Sequence, residues 1–240
     1  MNGIAPASPS ARNHHHASQV KQSRGGDYGL SSYLPTLGLY LLPRVLWYEG
    51  MTICFANGKG GSGKTTVTLC VAMALTEAGK RVAIADRDPQ GTAGLWVQQI
   101  ASEKGPFVYD ENGSYDVVLI DTPPRLDHPQ VREAILAADK VILVTSPSPT
   151  DLWTTKATAD LIKQLRPGFE KVALLFNQVQ IGTMLGRQLD ALAAKVGLSA
   201  IYFFVKRRQC YQHAALMGWG ALVQQAREEI EQITLHIVNL

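Results

Sequence analysis

The segment from Gly58 to Thr65 fits the pattern G-x-x-x-x-G-K-[ST], whose glycines let backbone N–H groups converge on phosphate oxygens. Within it, Lys64 is placed to reach the β- and γ-phosphates of a nucleotide, and the Thr65 hydroxyl is placed to hold Mg²⁺. The helix expected after the loop adds the positive end of its dipole. We therefore predict a site for a nucleoside triphosphate with Mg²⁺. The predicted nucleotide-binding residues of the loop are Gly60, Gly61, Ser62, Gly63, Lys64, Thr65 and Thr66.

A second lysine, Lys59, stands near the start of the same loop. An ordinary phosphate-binding loop does not need a cation at this position, since Lys64 already supplies one. The sequence gives Lys59 no task inside the site of its own chain, and this narrows the class of nucleotide-binding protein to be considered.

Polar side chains follow three predicted strands at the point where each strand ends. Asp86 and Asp88 follow one strand, Asp121 follows another, and Asn177 follows a third. Open α/β sheets bind ligands at the carboxyl ends of their strands. Asp121 follows the apolar residues 117–120, a pattern in which a carboxylate organises Mg²⁺ and its waters, while Asp86 and Asp88 suit support of Mg²⁺ and orientation of an attacking water. The alternatives are an ordinary strand-end turn at Asp121 and a solvated acidic turn at Asp86 and Asp88.

Predicted strands and helices alternate from residue 51 onward. The apolar run 51–56 predicts a buried strand, and residues 65–78 carry apolar side chains at helical spacing, so the loop has the context that its pattern requires. That context argues against a flexible glycine turn that binds nothing. Further strands are predicted at 81–86, 115–121, 140–145 and 171–176, with an edge strand at 200–205, and further helices at 91–102, 131–138, 151–165, 183–196 and 219–238. The alternation predicts an α/β fold, with a doubly wound, mostly parallel sheet flanked by helices in one domain.

Composition sets bounds on the class of protein. The 240 residues, of which 46% are hydrophobic, suffice for one sizeable core, and no run is long enough to span a bilayer. The formal net charge of +3 permits contact with nucleic acid or anionic lipid without requiring it. Cys54, Cys70 and Cys210 form no C-x-x-C pair, which argues against a zinc site or a disulfide framework and indicates a reducing cytosol.

Residues 1–50 differ from the rest of the chain. They are rich in Ser, Gly, Ala and Asn up to Ser32, and prolines interrupt the apolar stretch 33–48. We expect a disordered or non-native N-terminal extension over 1–50 and one nucleotide-binding domain over 51–240. The alternative is a membrane or partner anchor at 37–47, whereas a signal peptide fits poorly because no small-residue cleavage site follows.

Three motifs together resemble the ParA-type partition ATPases of the MinD/ParA superfamily. They are the lysine pair Lys59 and Lys64, the sequence DRDPQG at 86–91, and the sequence IDTPP at 120–124. The likeness runs over residues 51–219 and is greatest to the short members, which lack an N-terminal helix-turn-helix domain. It implies a P-loop NTPase fold, ATP and Mg²⁺ as cofactors, slow ATP hydrolysis, and a homodimer that forms on ATP binding.

The resemblance also implies a role for each matching residue. Lys59 matches the signature lysine, which crosses the dimer interface to the partner's nucleotide, and Asp88 matches the aspartate that activates water. Ser62 stands where the family has a hydrophobic residue, a small departure. The implied catalytic residues are Lys59, Lys64 and Asp88, the implied metal-site residues are Thr65, Asp86 and Asp121, and Asn177 is placed like an adenine-reading asparagine.

Basic residues exceed acidic ones over residues 156–208, which suits non-specific contact with DNA phosphates. ParA-type proteins hold nucleoid DNA on a basic surface of the dimer. The corresponding candidates here are Arg187, Lys206, Arg207 and Arg208. A scattered, solvated face is the alternative, because only the run 206–208 is compact.

The implied function is that of a dimerising ATPase in the bacterial cytoplasm that binds nucleoid DNA and segregates or positions a plasmid, a chromosome region or another cargo. A centromere-binding or cargo-adaptor protein is the implied partner that stimulates hydrolysis. A MinD-like membrane-associated regulator of division or flagella is the alternative, but residues 221–240 carry Glu228, Glu229 and Glu231 where a basic membrane-binding face would be needed, so no stable membrane association is expected. An iron-protein-like reductase is disfavoured because it needs paired cysteines at the dimer axis.

Overall fold

The computed structural model describes residues 50–100 and 104–240. The predictions for an extension over 1–50 and an anchor at 37–47 fall almost entirely outside the described residues, as does the end of the helix predicted at 91–102. None of the helices in the described ranges combines the length and the apolarity that a membrane span requires.

A six-stranded sheet forms the centre of the fold, with the strand order β3-β2-β4-β1-β5-β6 and every neighbouring pair parallel. This confirms the predicted doubly wound α/β fold. The strands are β1 (Met51–Ala56), β2 (Val82–Asp86), β3 (Phe107–Val108), β4 (Val117–Asp121), β5 (Lys140–Thr145) and β6 (Val172–Phe176).

Helices cover both faces of the sheet, and each face has its own apolar cluster. One cluster contains side chains of α1, α2, α6 and α7, and the other contains side chains of α3, α4 and α5. Neighbouring residues of β1 alternate between the two, since Ile53 belongs to the first and Cys54 to the second. The helices are α1 (Lys64–Glu77), α2 (Thr92–Ile100), α3 (Pro129–Ala137), α4 (Pro149–Leu165), α5 (Leu189–Val196), α6 (Cys210–Met217) and α7 (Gln224–Val238).

The strand register brings the predicted polar residues to one edge of the sheet. Asp86 pairs with Asp121 across β2 and β4, and Phe55 pairs with Asp121 across β1 and β4. Thr145 pairs with Phe176 across β5 and β6, so Asn177 leaves the sheet at the same edge. The carboxyl ends of these strands therefore lie at one side of the sheet, with Asp86, Asp121 and Asn177 among their residues.

The edge strand predicted at 200–205 does not form. The segment lies beside β6, but it makes only isolated bridges to Leu174 and Val179. Ile201 N–H bonds to the Leu174 carbonyl, and the next bond runs from Val205 N–H to the Phe176 carbonyl. Between these two hydrogen bonds the segment advances by four residues while β6 advances by two. The extra residues interrupt the ladder of hydrogen bonds that a strand would form.

Two predicted helices are shorter than the sequence suggested. The helix predicted at 219–238 is split into a 3₁₀ turn at Trp219–Ala221 and α7, because Leu222 and Val223 are extended. This places Leu222 in the core. The helix predicted at 183–196 is likewise split into a 3₁₀ turn at Leu185–Arg187 and α5, with Gln188 outside the helical region between them.

A buried lysine fixes the end of α7. Lys140 is 4% exposed, and its Nζ donates to the carbonyl oxygens of Ile237 and Val238 at 3.2 and 2.5 Å. A helix leaves its last carbonyls without intrahelical partners, so this contact satisfies two of them. Burial, reinforced by Lys171 nearby, lowers the pKa of Lys140 to about 8.

We predict that the stability contributed at Lys140 rises with pH. Because its folded-state pKa of about 8 lies below the ordinary 10.5, the unfolded chain holds a proton that the folded chain releases between these values, so the free energy of unfolding increases there. Relative to Lys140→Met, wild type should gain on the order of 1–2 kcal/mol between about pH 7.5 and about pH 9.5, measured by urea denaturation. Substituting the exposed Lys163 by Met is the control, and a constant difference between wild type and Lys140→Met over this range would contradict the assignment.

Candidate functional site

The predicted phosphate-binding loop lies between β1 and α1. Gly61 and Gly63 adopt φ values of 77° and 85°, a region that residues with a Cβ rarely enter. Gly63 is the residue before the first turn of α1, and Gly60 and Gly61 are exposed. The N-terminus of a long helix and an open glycine loop therefore face the same side, as an anion site requires.

Lys64 begins α1 and is only 6% exposed. Its Nζ lies 3.3 Å from the carbonyl oxygen of Lys59. Burial lowers the pKa of Lys64, and the carboxylates of Asp121 and Asp88 partly oppose this effect. The ammonium group is thus poorly solvated and incompletely neutralised, which suits it to bind phosphate oxygens.

Asp121 is buried at the end of β4 with 1% exposure. The Thr65 hydroxyl donates to its Oδ2 at 2.6 Å, and the Thr68 hydroxyl lies 3.5 Å from its Oδ1. Burial raises the pKa of Asp121 to about 7, although the Thr65 hydrogen bond and Lys64 act in the opposite direction. A carboxylate held in this way lacks a sufficient counter-charge among its protein neighbours.

Asp86 and Asp88 lie near this pair, but backbone amides already engage their oxygens. The Oδ1 and Oδ2 of Asp86 accept from Asp88 N–H at 3.0 Å and from Gly94 N–H at 2.9 Å, which ties the loop to the first turn of α2. Asp88 Oδ1 accepts from Gln90 N–H at 3.0 Å. Asp86 thus holds the loop that carries Asp88, and each carboxylate contributes to the negative charge around Asp121.

The residues present fit Mg²⁺ and a nucleotide phosphate. Thr65 and Asp121 offer only oxygen atoms, which Mg²⁺ prefers, and the Oγ of the fully buried Ser62 has no partner within the loop. Within residues 50–100 and 104–240, no group of three His, Cys, Asp or Glu side chains is placed to hold a metal ion by itself. Mg²⁺ retains several waters and is commonly bound through one or two protein groups together with substrate phosphates, so this donor set suffices.

Lys59 is placed beside the loop and forms an ion pair within its own chain. Its Nζ contacts the carboxylate of Asp151 and lies 3.4 Å from Thr150 Oγ1. The Lys59 side chain is 40% exposed, whereas that of Asp151 is 10% exposed and also accepts from Ser146 Oγ at 2.7 Å. Lys59 therefore has a partner within its own chain that the sequence analysis did not predict. The signal available in the sequence was the acidic Asp151 at the start of the helix predicted at 151–165.

A second set of contacts fixes the start of the loop against α4. The Asn57 amide donates to the Val144 carbonyl at 2.8 Å and to Thr155 Oγ1 at 3.1 Å. Gly58 N–H donates to Thr158 Oγ1 at 3.3 Å. Because α4 also carries Asp151, this one helix contacts the consecutive residues Asn57, Gly58 and Lys59.

The end of β6 contacts the other side of the loop. Asn177 is 5% exposed, and its Nδ2 donates to the carbonyl oxygen of Ser62 at 2.8 Å. The neighbouring Gln178 donates from Nε2 to the Gly61 carbonyl at 2.9 Å. The structure thus brings Asn177 to the predicted site but directs its amide to the loop backbone. Sequence reasoning did not select Gln178 at all.

The predicted DNA-binding residues differ in how their charge is used. Lys206 Nζ and Arg208 NH2 lie 3.2 and 3.7 Å from Oε2 of Glu229, whose other oxygen accepts from Tyr211 OH at 2.6 Å. Glu229 is only 9% exposed, so the internal carboxylate offsets much of the charge of Lys206 and Arg208. Arg207 and Arg187 are exposed, and neither forms an ion pair within the described part of the chain.

Comparison with known proteins places this site in a family. A family model for the CobQ/CobB/MinD/ParA nucleotide binding domain matches residues 53–217. The chain is 29% identical over 211 residues to "Maintenance of carboxysome distribution protein A" of Halothiobacillus neapolitanus, with 79% of this chain and 97% of the relative covered. It is 32% identical over 183 residues to the protein of the same name from Gloeobacter kilaueensis, with 71% and 83% covered.

A solved structure shows the same fold. The chain superposes with a TM-score of 0.62 on a putative plasmid partition protein from Borrelia burgdorferi bound to AMPPNP. The superposition covers 77% of this chain and 96% of that protein, at 16% sequence identity.

The two left-handed glycines of the loop make a matched pair for testing its shape. A Cβ on Gly63 would overlap the Asn177 amide, whereas a Cβ on Gly61 would meet nothing within 4 Å. Gly61→Ala should therefore cost only the backbone strain of a left-handed residue, roughly 1–2 kcal/mol. Gly63→Ala should cost more and should weaken ATP binding further, because Asn177 must move. Urea denaturation and calorimetric titration with ATP measure both effects, and equal losses in the two variants would show that the Asn177 contact is unimportant.

Proposed function

The chain belongs to the CobQ/CobB/MinD/ParA nucleotide-binding domain family, and we propose on that basis that it is an ATPase that dimerises on ATP binding and positions a cargo along nucleoid DNA. The observation that carries the proposal is the cluster beneath the open glycine loop, in which Lys64 and Asp121 are buried and the half-buried Thr65 donates to Asp121. Family membership agrees with the resemblance seen in the sequence. The division into an extension at 1–50 and an ATPase domain at 51–240 remains part of the proposal.

Each residue of the site has its own proposed role in ATP hydrolysis. Lys64 and the loop N–H groups would bind the triphosphate, while Thr65 and Asp121, joined by their hydrogen bond, would hold Mg²⁺. Mg²⁺ held there would supply neutralisation of the phosphate charge. Asp88 orients the attacking water from the loop after β2, and Asp86 fixes that loop. Such a site works by positioned charge rather than by covalent chemistry.

Lys59 supplies the link between ATP binding and dimerisation. In the isolated chain it pairs with Asp151, and its side chain is still 40% exposed. We propose that Lys59 leaves Asp151 when a second copy docks and then contacts that copy's nucleotide phosphates. A cation supplied in trans raises the rate of phosphoryl transfer, so hydrolysis is expected to be slow in the monomer.

The proposed cargo follows from the relatives. Two of them are named for the maintenance of carboxysome distribution, and this favours a carboxysome-like body over a plasmid or a chromosome region. A cargo-adaptor protein that stimulates hydrolysis would connect the dimer to this body. The proposed location is the bacterial cytoplasm at the nucleoid, without stable membrane association.

DNA contact is proposed for the exposed basic residues. Arg187 and Arg207 are exposed and form no ion pair among the described residues, although Arg187 NH2 also donates to the Gly182 carbonyl at 3.2 Å, whereas Lys206 and Arg208 share their charge with Glu229. We therefore rank Arg207 above its two neighbours as a DNA-binding residue. Contact of this kind is independent of DNA sequence and falls with salt.

Substitutions of the two lysines test the proposed mechanism. Lys64→Ala should abolish ATP turnover because the buried cation at the phosphates is removed.

Lys59→Ala should bind ATP yet remain monomeric, as measured by light scattering with ATP and Mg²⁺. Asp151→Asn should dimerise at lower ATP concentration than wild type, since Lys59 no longer has a charged partner in its own chain. Full ATP-dependent dimerisation of Lys59→Ala would count against the proposal.

A separate experiment tests DNA binding. Wild type should bind duplex DNA only with ATP, and its affinity should fall steeply with salt. Arg207→Glu should weaken binding and reduce the slope of log K against log salt by about 1 for each phosphate that the variant no longer neutralises. Lys171→Glu is the charge-matched control, because Lys171 is exposed at the amino-terminal end of β6, away from the carboxyl ends of the strands. Equal DNA affinity with and without ATP would refute the proposed nucleoid contact.

A further inference from the structure

Two consecutive amide side chains hold the phosphate-binding loop from the end of β6. Asn177 Nδ2 donates to the Ser62 carbonyl at 2.8 Å, and Gln178 Nε2 donates to the Gly61 carbonyl at 2.9 Å. We call Asn177 and Gln178, with these two contacts, the amide clamp. The partners are more than a hundred residues apart in the chain, so the clamp is a purely tertiary feature.

The backbone at Gln178 is bent in a way that makes the clamp possible. Successive side chains of an extended segment point to opposite sides, so two neighbours cannot normally reach one target. Gln178 adopts a φ of 56° and is the only non-glycine residue with a positive φ in the described ranges. Its N–H bonds to Asn177 Oδ1 at 2.8 Å, which stabilises this bend. A left-handed conformation at a non-glycine residue costs energy and persists where the surroundings demand it.

The clamp fixes the orientation of two peptide groups. In a planar trans peptide, the C=O of one residue and the N–H of the next point in opposite directions. Holding the carbonyls of Gly61 and Ser62 therefore directs the N–H groups of Ser62 and Gly63 away from the clamp. Phosphate binding by such a loop depends on where these N–H groups point.

The same contacts leave Asn177 poorly suited to read a base. Its Nδ2 is engaged by Ser62, its Oδ1 is engaged by Gln178, and the residue is 5% exposed. Gly63 has no Cβ, and any Cβ there would occupy the space of the Asn177 amide. The loop and Asn177 thus fit together as one packed unit.

We infer that Asn177 and Gln178 are positioning residues for the triphosphate site, acting through the loop backbone rather than through the adenine ring. This inference rests on the proposed ATP-binding function. It predicts that loss of the clamp weakens binding of the triphosphate chain whether or not a base is attached.

The test compares ATP with inorganic tripolyphosphate, each with Mg²⁺, by calorimetric titration of the full chain. Gln178→Gly retains the left-handed backbone and removes the amide, while Asn177→Leu keeps a side chain of similar size and removes the donor without adding charge. Each variant should lose about tenfold in affinity for both ligands, with the ratio of the two dissociation constants unchanged. Gln180→Ala is the control, since Gln180 is exposed two residues further along and makes no side-chain contact with the loop among the described residues.

The possible outcomes separate the two proposals. A loss confined to ATP would overturn the inference, because Asn177 or Gln178 would then recognise the base. Unchanged affinity of Gln178→Gly for both ligands would also overturn it, as would binding of ATP but not tripolyphosphate by wild type. Failure of wild type to bind either ligand would instead refute the proposed function. Thermal melting of each variant confirms that it is folded, and Gln178 is the safer position because its side chain is exposed to a greater extent than that of Asn177.

Discussion

The burial of Asp121 beside Lys64 is the interaction on which the site depends. Burial raises the pKa of the carboxyl to about 7 and lowers that of the ammonium group, so each charge lacks solvent and neither is fully compensated by the other. Paired buried charges are costly unless further partners satisfy them. A divalent cation near Asp121 and phosphate oxygens near Lys64 would supply those partners. The Thr65 hydroxyl, hydrogen-bonded to Asp121, joins the two sides of the site.

The loop keeps its shape through contacts with three separate elements. Asp121 approaches from β4, the hydroxyls of Thr155 and Thr158 approach from α4, and Asn177 with Gln178 approaches from the end of β6. Glycine-rich backbone loses much conformational entropy on folding, so a loop of this composition needs such external restraints. Within the glycine-rich part of the loop the restraints act on backbone atoms, namely the N–H of Gly58 and the carbonyls of Gly61 and Ser62, and Gly60 and Gly61 stay exposed.

The basic surface shows how fold and binding compete for the same charges. Glu229 joins α7 to the segment before α6 by accepting from Lys206 N–H, and to α6 itself by accepting from Tyr211 OH. In doing so it brings its charge close to Lys206 and Arg208 and reduces what they offer to an external anion. The basic run 206–208 is compact in the sequence, but its three side chains therefore differ in how much positive charge they present at the surface.

Local patterns in the sequence determined the fold and the position of the site. Apolar runs, helical spacing and the glycine motif predicted all of the long strands and α1, α3 and α4 to within a few residues, because burial and backbone preference decide these elements locally. Because neighbouring strands of a parallel sheet end at the same side, the strand ends that carry Asp86 and Asp121 lie next to each other. The family resemblance, confirmed over residues 53–217, rested on these same residues.

Only the tertiary structure decided which partners the functional side chains have. Lys59 meets Asp151 across 92 positions, and Asn177 meets Ser62 across 115 positions, so no local spacing encodes either contact. The break in the predicted strand 200–205 is likewise set by the residues that the segment must fit alongside β6. Pattern reasoning identifies which side chains are chemically able to act, whereas long-range packing decides which atoms they reach.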